Sequence, residues 1–343
     1  MNKALSIISL IIALSPALHA QSKKDTLFFT NGTQVIGILK KIKVGVVTFD
    51  PDWANDITVQ LKRINTINAG REIYRVESTD KQVFFGVLMP DSLPHRVKIV
   101  NAVLQKSLDV EHIVNLYPYS NRFIQRFSGN FGLGYNYTRS SSFGRLNFDG
   151  TLNYLAKKQE VTTAVSTIYS VTDSNMTRDR EDVSVKGNHF FSPTSFITGF
   201  LAYQRNLELG IQRRYQEGLG LGNKFITNKV AYGWGRGGFA FNQEKSTEGQ
   251  SSKTLAEFFT QLQFNFFKFT KPEVKIDLKQ TIYIGITEKG RFRSDGEFNL
   301  SWEIVSHLKM NFQVYNNYDS RPPSIKSSNF DYGMVFGLSY YFY

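Results

Sequence analysis

The hydrophobic and polar positions follow two different patterns along this chain. Residues 25–117 hold short alternating runs separated by Gly, Asn and Asp, whereas residues 128–343 hold long runs in which apolar and polar side chains strictly alternate. A period of two places successive side chains on opposite faces of a β-strand. The sequence therefore predicts an all-β fold: an antiparallel transmembrane β-barrel of about 12 strands, preceded by a small duplicated β-domain.

The long runs decide between a membrane barrel and a soluble sandwich. Apolar residues alternate with polar ones over 145–154, 274–284, 295–304 and 308–314, and whole segments reach about 12 to 15 residues. Strands of soluble sandwiches have about 5 to 6 residues, whereas a tilted strand needs about 9 to 11 to cross a bilayer. The pattern therefore favours a membrane-spanning barrel over residues 119–343.

The connections between these strands are predicted to alternate in length, as they do when short turns lie in the periplasm and long loops outside. Short turns are expected near 157–158, 192–194, 228, 270–272 and 306–307, and longer hydrophilic loops over 173–181, 243–252 and 319–328. Two places interrupt the rhythm. The faces of residues 196–203 are hard to distinguish, and the parity shifts between Trp234 and Phe239, which predicts a bulge at Gly237–Gly238. Outward-facing aromatic residues, expected at the membrane interfaces, are Trp234, Trp302, Tyr154, Tyr332 and Tyr340.

The N-terminal part, residues 21–118, contains two similar copies at about 25–70 and 73–117. Gln34 and Gly37 in the first copy correspond to Gln82 and Gly86 in the second. We expect short, bent antiparallel sheets, by analogy with Sm or SH3 barrels. The sequence of this part holds no recognisable catalytic motif.

The N-terminal segment predicts the cellular location of the protein. Lys3, the apolar run of residues 4–14 and the small residue Ala20 form a secretory signal over residues 1–20. The chain has no cysteine, which excludes a lipid anchor on cysteine, a disulfide framework and a thiolate metal site. We therefore expect an outer-membrane protein whose N-terminal domain lies in the periplasm.

Charge changes this picture little. The formal net charge of +12 is spread along the chain and not concentrated in a stripe, which argues against nucleic-acid binding. Anionic lipopolysaccharide and outer-membrane lipid are compatible partners.

The inward-facing charges of the barrel are the candidate functional residues. They are Arg145, Asp149, Arg214, Glu257, Lys275, Asp277, Lys279, Asp295, Glu297 and Lys309. Because about twelve strands enclose a narrow lumen and these signs are mixed, a salt-bridged, packed interior is favoured over an open selective pore. A pore would need unpaired charges of one sign at a constriction.

The sequence gives weaker support for nucleotide binding, lipid hydrolysis or metal binding. The glycines at 218, 220 and 222 alternate along a strand and do not open a helix, so they suit a curved wall better than a phosphate loop. A membrane-embedded lipid hydrolase would need a serine beside His189 or His307, and no such motif is present. His95 and His112 lack metal-ligand spacing. We expect no catalysis, no cofactor and no metal.

The last strand, residues 330–343, alternates to its end and finishes with aromatic residues. It resembles the C-terminal signal recognised by the barrel-assembly machinery, with Gly337, Tyr340, Phe342 and Tyr343 in the matching places. Together with the Arg-Arg-Tyr-Gln-Glu-Gly-Leu-Gly-Leu-Gly segment at 213–222, the region 128–343 resembles the YdiY-like, salt-induced outer-membrane protein family (domain of unknown function 481). This resemblance implies an outer-membrane barrel that the assembly machinery inserts.

The function expected from the sequence is a structural or stress-related envelope role. The alternative is a narrow channel for small solutes or ions, and a lipid hydrolase is a distant third. A periplasmic protein or peptidoglycan is the expected partner of the N-terminal domain.

Overall fold

The computed structural model describes residues 24–119, 123, 126–172, 175–251, 254–268, 272–305, 308–324 and 328–340. The predicted signal peptide and the residues Phe342 and Tyr343 lie outside this part of the chain. Within it, every named element except three 3-10 turns is a β-strand, which confirms the predicted all-β fold. A search of the same residues for an apolar helix long enough to cross a membrane found none.

Nine short strands build the N-terminal domain: β1 (Asp25–Phe29), β2 (Gln34–Lys43), β3 (Val46–Pro51), β4 (Ile57–Gln60), β5 (Ile64–Ser78), β6 (Val83–Pro90), β7 (Arg96–Val100), β8 (Gln105–Asp109) and β9 (Ile113–Tyr119). Strands β1 and β9 each pair with both β2 and β5, so these four strands form a closed ring. Strands β3 and β4 extend the sheet from β2, and β6 to β8 extend it from β5.

The same succession of elements occurs twice in this domain. Each copy has a strand, a three-stranded meander, a 3-10 turn and a closing strand, and the turns are Leu61–Arg63 and Val110–His112. Strand β5 closes the first copy and opens the second. The two copies share one core, in which Leu27, Ile64 and Ile113 are completely buried.

Twelve long strands form the second sheet: β10 (Phe127–Thr138), β11 (Phe143–Leu155), β12 (Gln159–Thr172), β13 (Asn175–Phe190), β14 (Ser195–Asn206), β15 (Ile211–Thr227), β16 (Ala231–Ser246), β17 (Leu255–Lys268), β18 (Val274–Gly285), β19 (Phe292–Val305), β20 (Leu308–Asp319) and β21 (Phe330–Tyr340). Each strand pairs antiparallel with its neighbours in sequence, as predicted for the barrel. Among the described residues, β10 and β21 make no ladder with each other, and every residue of β10 is exposed.

The two faces of the long strands differ as the alternation predicts. Leu219, Phe239 and Phe258 are cross-strand neighbours on the outer face and keep 40% to 70% of their surface exposed. The opposite face carries buried polar groups such as Arg214, Glu257 and Gln261. An apolar exterior around a polar interior is typical of transmembrane barrels.

Trp234 shows where the predicted parity is wrong. Its ring lies on the inner face, 6.3 Å from the ring of buried Phe196, and not at a membrane interface. The ladder of β16 with both neighbours is regular from Trp234 to Asn242, and the nearest register shift lies between Gly233 and Trp234, so no bulge exists at Gly237–Gly238. The sequence prediction assumed that a tryptophan faces lipid, and the supposed shift of parity followed from that assumption.

Two predicted outer loops are shorter than expected because strands continue through them. Strand β13 starts at Asn175, so most of the predicted loop 173–181 is strand, although residues 173–174 are outside the described chain. Strand β16 reaches Ser246, inside the predicted loop 243–252. The tight connections fall where they were predicted, between β11 and β12, β13 and β14, β15 and β16, β17 and β18, and β19 and β20.

The buried Tyr74 hydroxyl stabilises the closed ring of the N-terminal domain. It donates to Asp25 Oδ2 at 3.0 Å, and the Leu39 amide donates to the same oxygen at 2.9 Å. Burial, followed by the nearby Asp25 charge, raises the pKa of Tyr74 far above its usual value, so the phenol remains a donor. Since Asp25 is fully buried, loss of this donor leaves its carboxylate less satisfied.

We predict that Tyr74→Phe destabilises the N-terminal domain by about 1.5–3 kcal/mol, the range for a hydrogen bond to a charged group. Hydrogen exchange of the full-length protein should show faster exchange in peptides from β1, β2 and β5. Tyr119→Phe is the control, because its hydroxyl makes no hydrogen bond with the described residues and its ring contacts survive the change. Equal exchange in the two variants would contradict the role given to Asp25.

Candidate functional site

One face of the N-terminal domain is turned toward the end of the barrel that carries the tight connections. Strands β4, β3, β2, β9 and β5 lie side by side there, and their register places Thr58 beside Thr48, Thr48 beside Lys41, and Lys43 beside Asn115, which in turn pairs with Glu77. We call this surface the barrel-facing surface of the domain. It combines charged and hydroxyl-bearing side chains that an isolated domain would leave in water.

A buried ion pair holds the centre of this contact. Both carboxylate oxygens of Glu77 lie 3.1 Å from the ammonium of Lys224 at the end of β15. Glu77 is 1% and Lys224 is 4% exposed. Arg75 lies 3.7 Å from the same carboxylate, and Asn115 donates to it at 3.2 Å. Glu77 therefore has two partners in its own domain and gains a third, Lys224, from the barrel.

Aromatic rings complete this centre. The ammonium of Lys224 lies 4.7 Å from the centroid of Phe190 on β13, and the guanidinium of Arg75 lies 5.9 Å from the same ring. Burial raises the pKa of Tyr117 on the domain well above its usual value, and the charge of Glu160 on β12 adds to this effect. Cation–π contacts in a desolvated site contribute about 2 kcal/mol or more.

Further contacts surround the centre. Lys229 donates to Glu111 at 2.9 Å, and Gln60 donates to Glu273 at 2.6 Å. These contacts join the domain to the β15–β16 connection and to the residue before β18. The domain thus covers the barrel mouth at several separate points.

A cavity of about 620 Å³ remains between the barrel-facing surface and the lumen wall at the end with the tight connections. We call it the lower cavity. The domain contributes Lys41 and Lys43 from β2 and hydroxyls from β3 and β4, and strands β17 to β20 provide the rest of the lining. Loss of bulk water lowers the pKa of Lys43, while the Asp277 charge opposes that change.

The opposite end of the lumen is closed by a network of buried charges. Glu244 on β16 accepts from Arg214 on β15 at 2.7 Å and from Arg291 at 3.0 Å. Arg291 also donates to Asp319 on β20 at 2.6 Å. Arg293 on β19 donates to Glu257 on β17 at 3.0 Å. We call these residues the outer network, and each of its three arginines is at most 8% exposed.

Between the cavity and the outer network, Arg236 and aromatic rings occupy the lumen. Arg236 donates to Gln261 at 2.8 Å and to Thr198 at 2.9 Å, and its guanidinium lies 5.5 Å from the centroid of Phe200. The alternating glycines of β15 make room for these rings: a Cβ on Gly218 would meet the Phe200 ring at 2.4 Å, and one on Gly222 would meet Phe196 at 2.3 Å. Their role is therefore close packing.

The structure distributes the predicted lumen charges over three places. Arg214 and Glu257 belong to the outer network, and Asp295 borders a small void beside it. The lower cavity is lined by Lys275, Asp277, Lys279, Glu297 and Lys309. Arg145 and Asp149 are exposed on β11, where Asp149 accepts from Ser166 at 2.6 Å. Of the predicted assembly signal, Gly337 and Tyr340 lie on β21.

The sequence analysis missed most of the outer network and the whole domain contact. Glu244 and Asp319 fell in or at the start of predicted loops, yet both continue the inward parity of their strands, Glu244 after Asn242 and Asp319 after Asn317. Extending the alternation into the hydrophilic segments would have found them. Glu77 gave no such signal, since a charged strand face in a small domain normally faces water.

The alternative chemistries gain no geometric support. His189 is exposed, and its cross-strand neighbours are Gln159 and Ile197. His307 lies outside the described residues. The described part of the chain contains no group of three or more His, Asp or Glu side chains arranged to hold a metal ion.

Comparison with known proteins identifies the family to which the chain belongs. The model of the family described as "Protein of unknown function, DUF481" matches residues 130–342, which confirms the resemblance found in the sequence. No curated protein sequence matches the chain. Among solved structures, the chain is similar to "NanC porin structure in rhombohedral crystal form", with 11% identity, a TM-score of 0.35, and coverage of 62% of this chain and 99% of the porin.

We predict that a zero-length carbodiimide cross-linker joins Glu111 to Lys229 in the purified full-length protein. Their side chains are 39% and 54% exposed and lie 2.9 Å apart, so the reagent reaches a preformed ion pair. Mass spectrometry of a digest should find the linked peptides, and Lys229→Gln should abolish them. Lys289→Gln, an exposed control in the β18–β19 connection, should not. Failure to form the link in wild-type protein would mean that the domain does not occupy the barrel mouth.

We predict that Glu244→Gln destabilises the barrel by about 3–5 kcal/mol, because it leaves Arg214 and Arg291 buried with a partner removed. The temperature at which the folded barrel loses its fast electrophoretic mobility should fall. Glu288→Gln is the matched control, since the Glu288 carboxylate is 31% exposed and its loss should cost about 1 kcal/mol or less. Similar falls for both variants would contradict the structural role of the outer network.

Proposed function

We propose that this chain, which belongs to the DUF481 family of proteins of unknown function, is an outer-membrane β-barrel with a structural or stress-related role in the envelope and no catalysis. Its N-terminal domain would lie in the periplasm and hold the inner mouth of the barrel closed. The closure of the lumen at both ends carries the proposal, through the Glu77–Lys224 contact at one end and the outer network at the other.

The exterior of the barrel supports the membrane location. Apolar side chains of β15 to β17 form a continuous exposed surface. Next to it, toward the end of the barrel that holds the outer network, the rings of Tyr203 and Tyr215 pack 5.4 Å apart. Arg213 and Lys245 are cross-strand neighbours one step beyond these rings. A basic pair above an aromatic girdle suits the phosphates of lipopolysaccharide, which we propose as a lipid partner.

A structural role also suits the distribution of charge. In an open pore, water would solvate inward charges, so they would not need to pair. In the outer network, three arginines share three carboxylates, and a small void of about 30 Å³ lies beside Asp295. Breaking such pairs is costly, so the network opposes opening.

The second candidate is a narrow channel for small solutes or ions. The lysine-lined cavity favours it, since a ladder of cations at one level of the lumen would select anions. Conduction would then require both the N-terminal domain and the outer network to move. The periplasmic partner of this protein, a protein or peptidoglycan, would bind the surfaces of the domain that face away from the barrel.

We predict that the mature protein inserted into planar bilayers shows no discrete conductance, and that residues 119–343 alone are also silent, because the outer network closes the lumen independently of the domain. Single-channel recording across a salt gradient measures this. Steps from the barrel alone would make the domain the gate of a channel. Steps from the full chain would replace the structural proposal by the channel.

A further inference from the structure

The cavity beneath the N-terminal domain has an unbalanced set of charges. Six lysines line it: Lys41, Lys43, Lys268, Lys275, Lys279 and Lys309. Four carboxylates do so as well: Glu273, Asp277, Glu297 and Glu303. The excess of two positive charges remains after the ion pairs within the lining are formed, because each pair uses one lysine and one carboxylate.

Asp277 lies 3.1 Å from Lys275 and also accepts a hydrogen bond from Asn265. Glu273 accepts from Gln60 at 2.6 Å and lies 3.9 Å from Lys309. Glu297 accepts from Asn299 at 2.9 Å. These contacts occupy three of the four carboxylates.

Four of the lysines form no ion pair with any carboxylate of the described chain. They are Lys41, Lys43, Lys268 and Lys279. Lys41 and Lys43 belong to the barrel-facing surface of the domain, whereas Lys268 and Lys279 belong to strands β17 and β18 of the barrel. Cations of the domain and of the barrel therefore line one cavity, and all four residues are also exposed to solvent.

The electrostatics of Lys43 agree with this geometry. Its pKa is lowered chiefly because the surrounding protein excludes bulk water, and the positive charges of Lys41 and Lys275 lower it further, against the opposing charge of Asp277. Like charges on neighbouring side chains repel each other, and solvent weakens this repulsion without removing it. An anion between the two walls would relieve this repulsion.

We propose that this cavity binds a small multivalent anion, with two or more carboxylate or phosphate groups, which joins Lys43 of the N-terminal domain to Lys279 of the barrel. A volume of about 620 Å³ suits a solute of this kind, since ligand pockets commonly measure about 300–1,000 Å³. Thr48 and Thr58 of the domain and Gln263 of the barrel also line the cavity and add neutral hydrogen-bonding groups. The anion then acts as a bridge that strengthens the closed state.

The proposal rests on the closed arrangement of the proposed function, because the domain forms one wall of the site. It goes further by assigning a ligand class to a cavity between two parts of the chain. A lipid is a poor occupant, since the lining is dominated by charged and polar side chains.

The test is isothermal titration calorimetry on the full-length protein in a zwitterionic detergent, with citrate as the carboxylate probe and pyrophosphate as the phosphate probe. Sodium chloride at equal ionic strength measures the non-specific contribution. Lys43→Gln combined with Lys279→Gln should weaken the preferred probe at least tenfold. The matched control combines Lys106→Gln and Lys289→Gln, two exposed lysines outside the cavity, and should bind within twofold of wild type.

A second measurement separates a binding role from a structural one. Without added anion, the Lys43→Gln and Lys279→Gln variant should unfold at the same or a higher temperature than wild type, because it relieves repulsion. With citrate or pyrophosphate, only wild type and the control should gain stability. A lower unfolding temperature of this variant without anion would assign the lysines a structural role and overturn the proposal.

The outcomes also distinguish this proposal from the closed arrangement on which it rests. No binding of either probe at millimolar concentration, or equal binding by both double variants, overturns the anion site while the Glu111–Lys229 cross-link still forms. Loss of the cross-link in wild-type protein overturns the closed arrangement, and the anion site with it. Preference for citrate or for pyrophosphate identifies the chemical group that the lysines recognise.

Discussion

A barrel of twelve strands encloses little space, and at the end that holds the outer network the inward-facing side chains contact each other instead of bulk water. Charges in such a lumen need partners, and the outer network shows how they find them across strands β15, β16, β17, β19 and β20. The same constraint places neutral acceptors and aromatic rings around Arg236, which forms no ion pair with a carboxylate of the described part of the chain. The organisation of the interior follows from the narrow lumen.

At the end of the barrel that carries the tight connections, the N-terminal domain supplies the partner for a buried charge. Lys224 points toward the mouth of the barrel, and Glu77 from the domain is its carboxylate partner. A buried ion pair contributes little net stability, but any arrangement that kept Lys224 buried without Glu77 would leave its charge without a carboxylate partner. The Glu77–Lys224 pair therefore specifies the position of the domain, while hydrogen bonds and ring contacts around it add to the strength of the association.

Much of the fold could be predicted from the sequence, because strict alternation over long segments has few structural solutions. The number of strands, the tight connections and the repeated N-terminal elements all agree with that pattern. Trp234 was misplaced because residue type was given more weight than strand parity. Glu244 was missed because its segment looked like a loop. The contact through Glu77 could not be predicted from the sequence, because alternation describes the two faces of one strand and does not say which surfaces of two separate sheets meet.

The long strand β5 has a consequence for how the N-terminal domain persists as a unit. It runs from Ile64 to Ser78 without interruption, so the end of one copy is the beginning of the next and no linker separates them. Deleting either copy would cut this strand and expose the edges of its remaining partners. The two copies therefore form one folding unit, because β5 supplies pairing partners to strands of both.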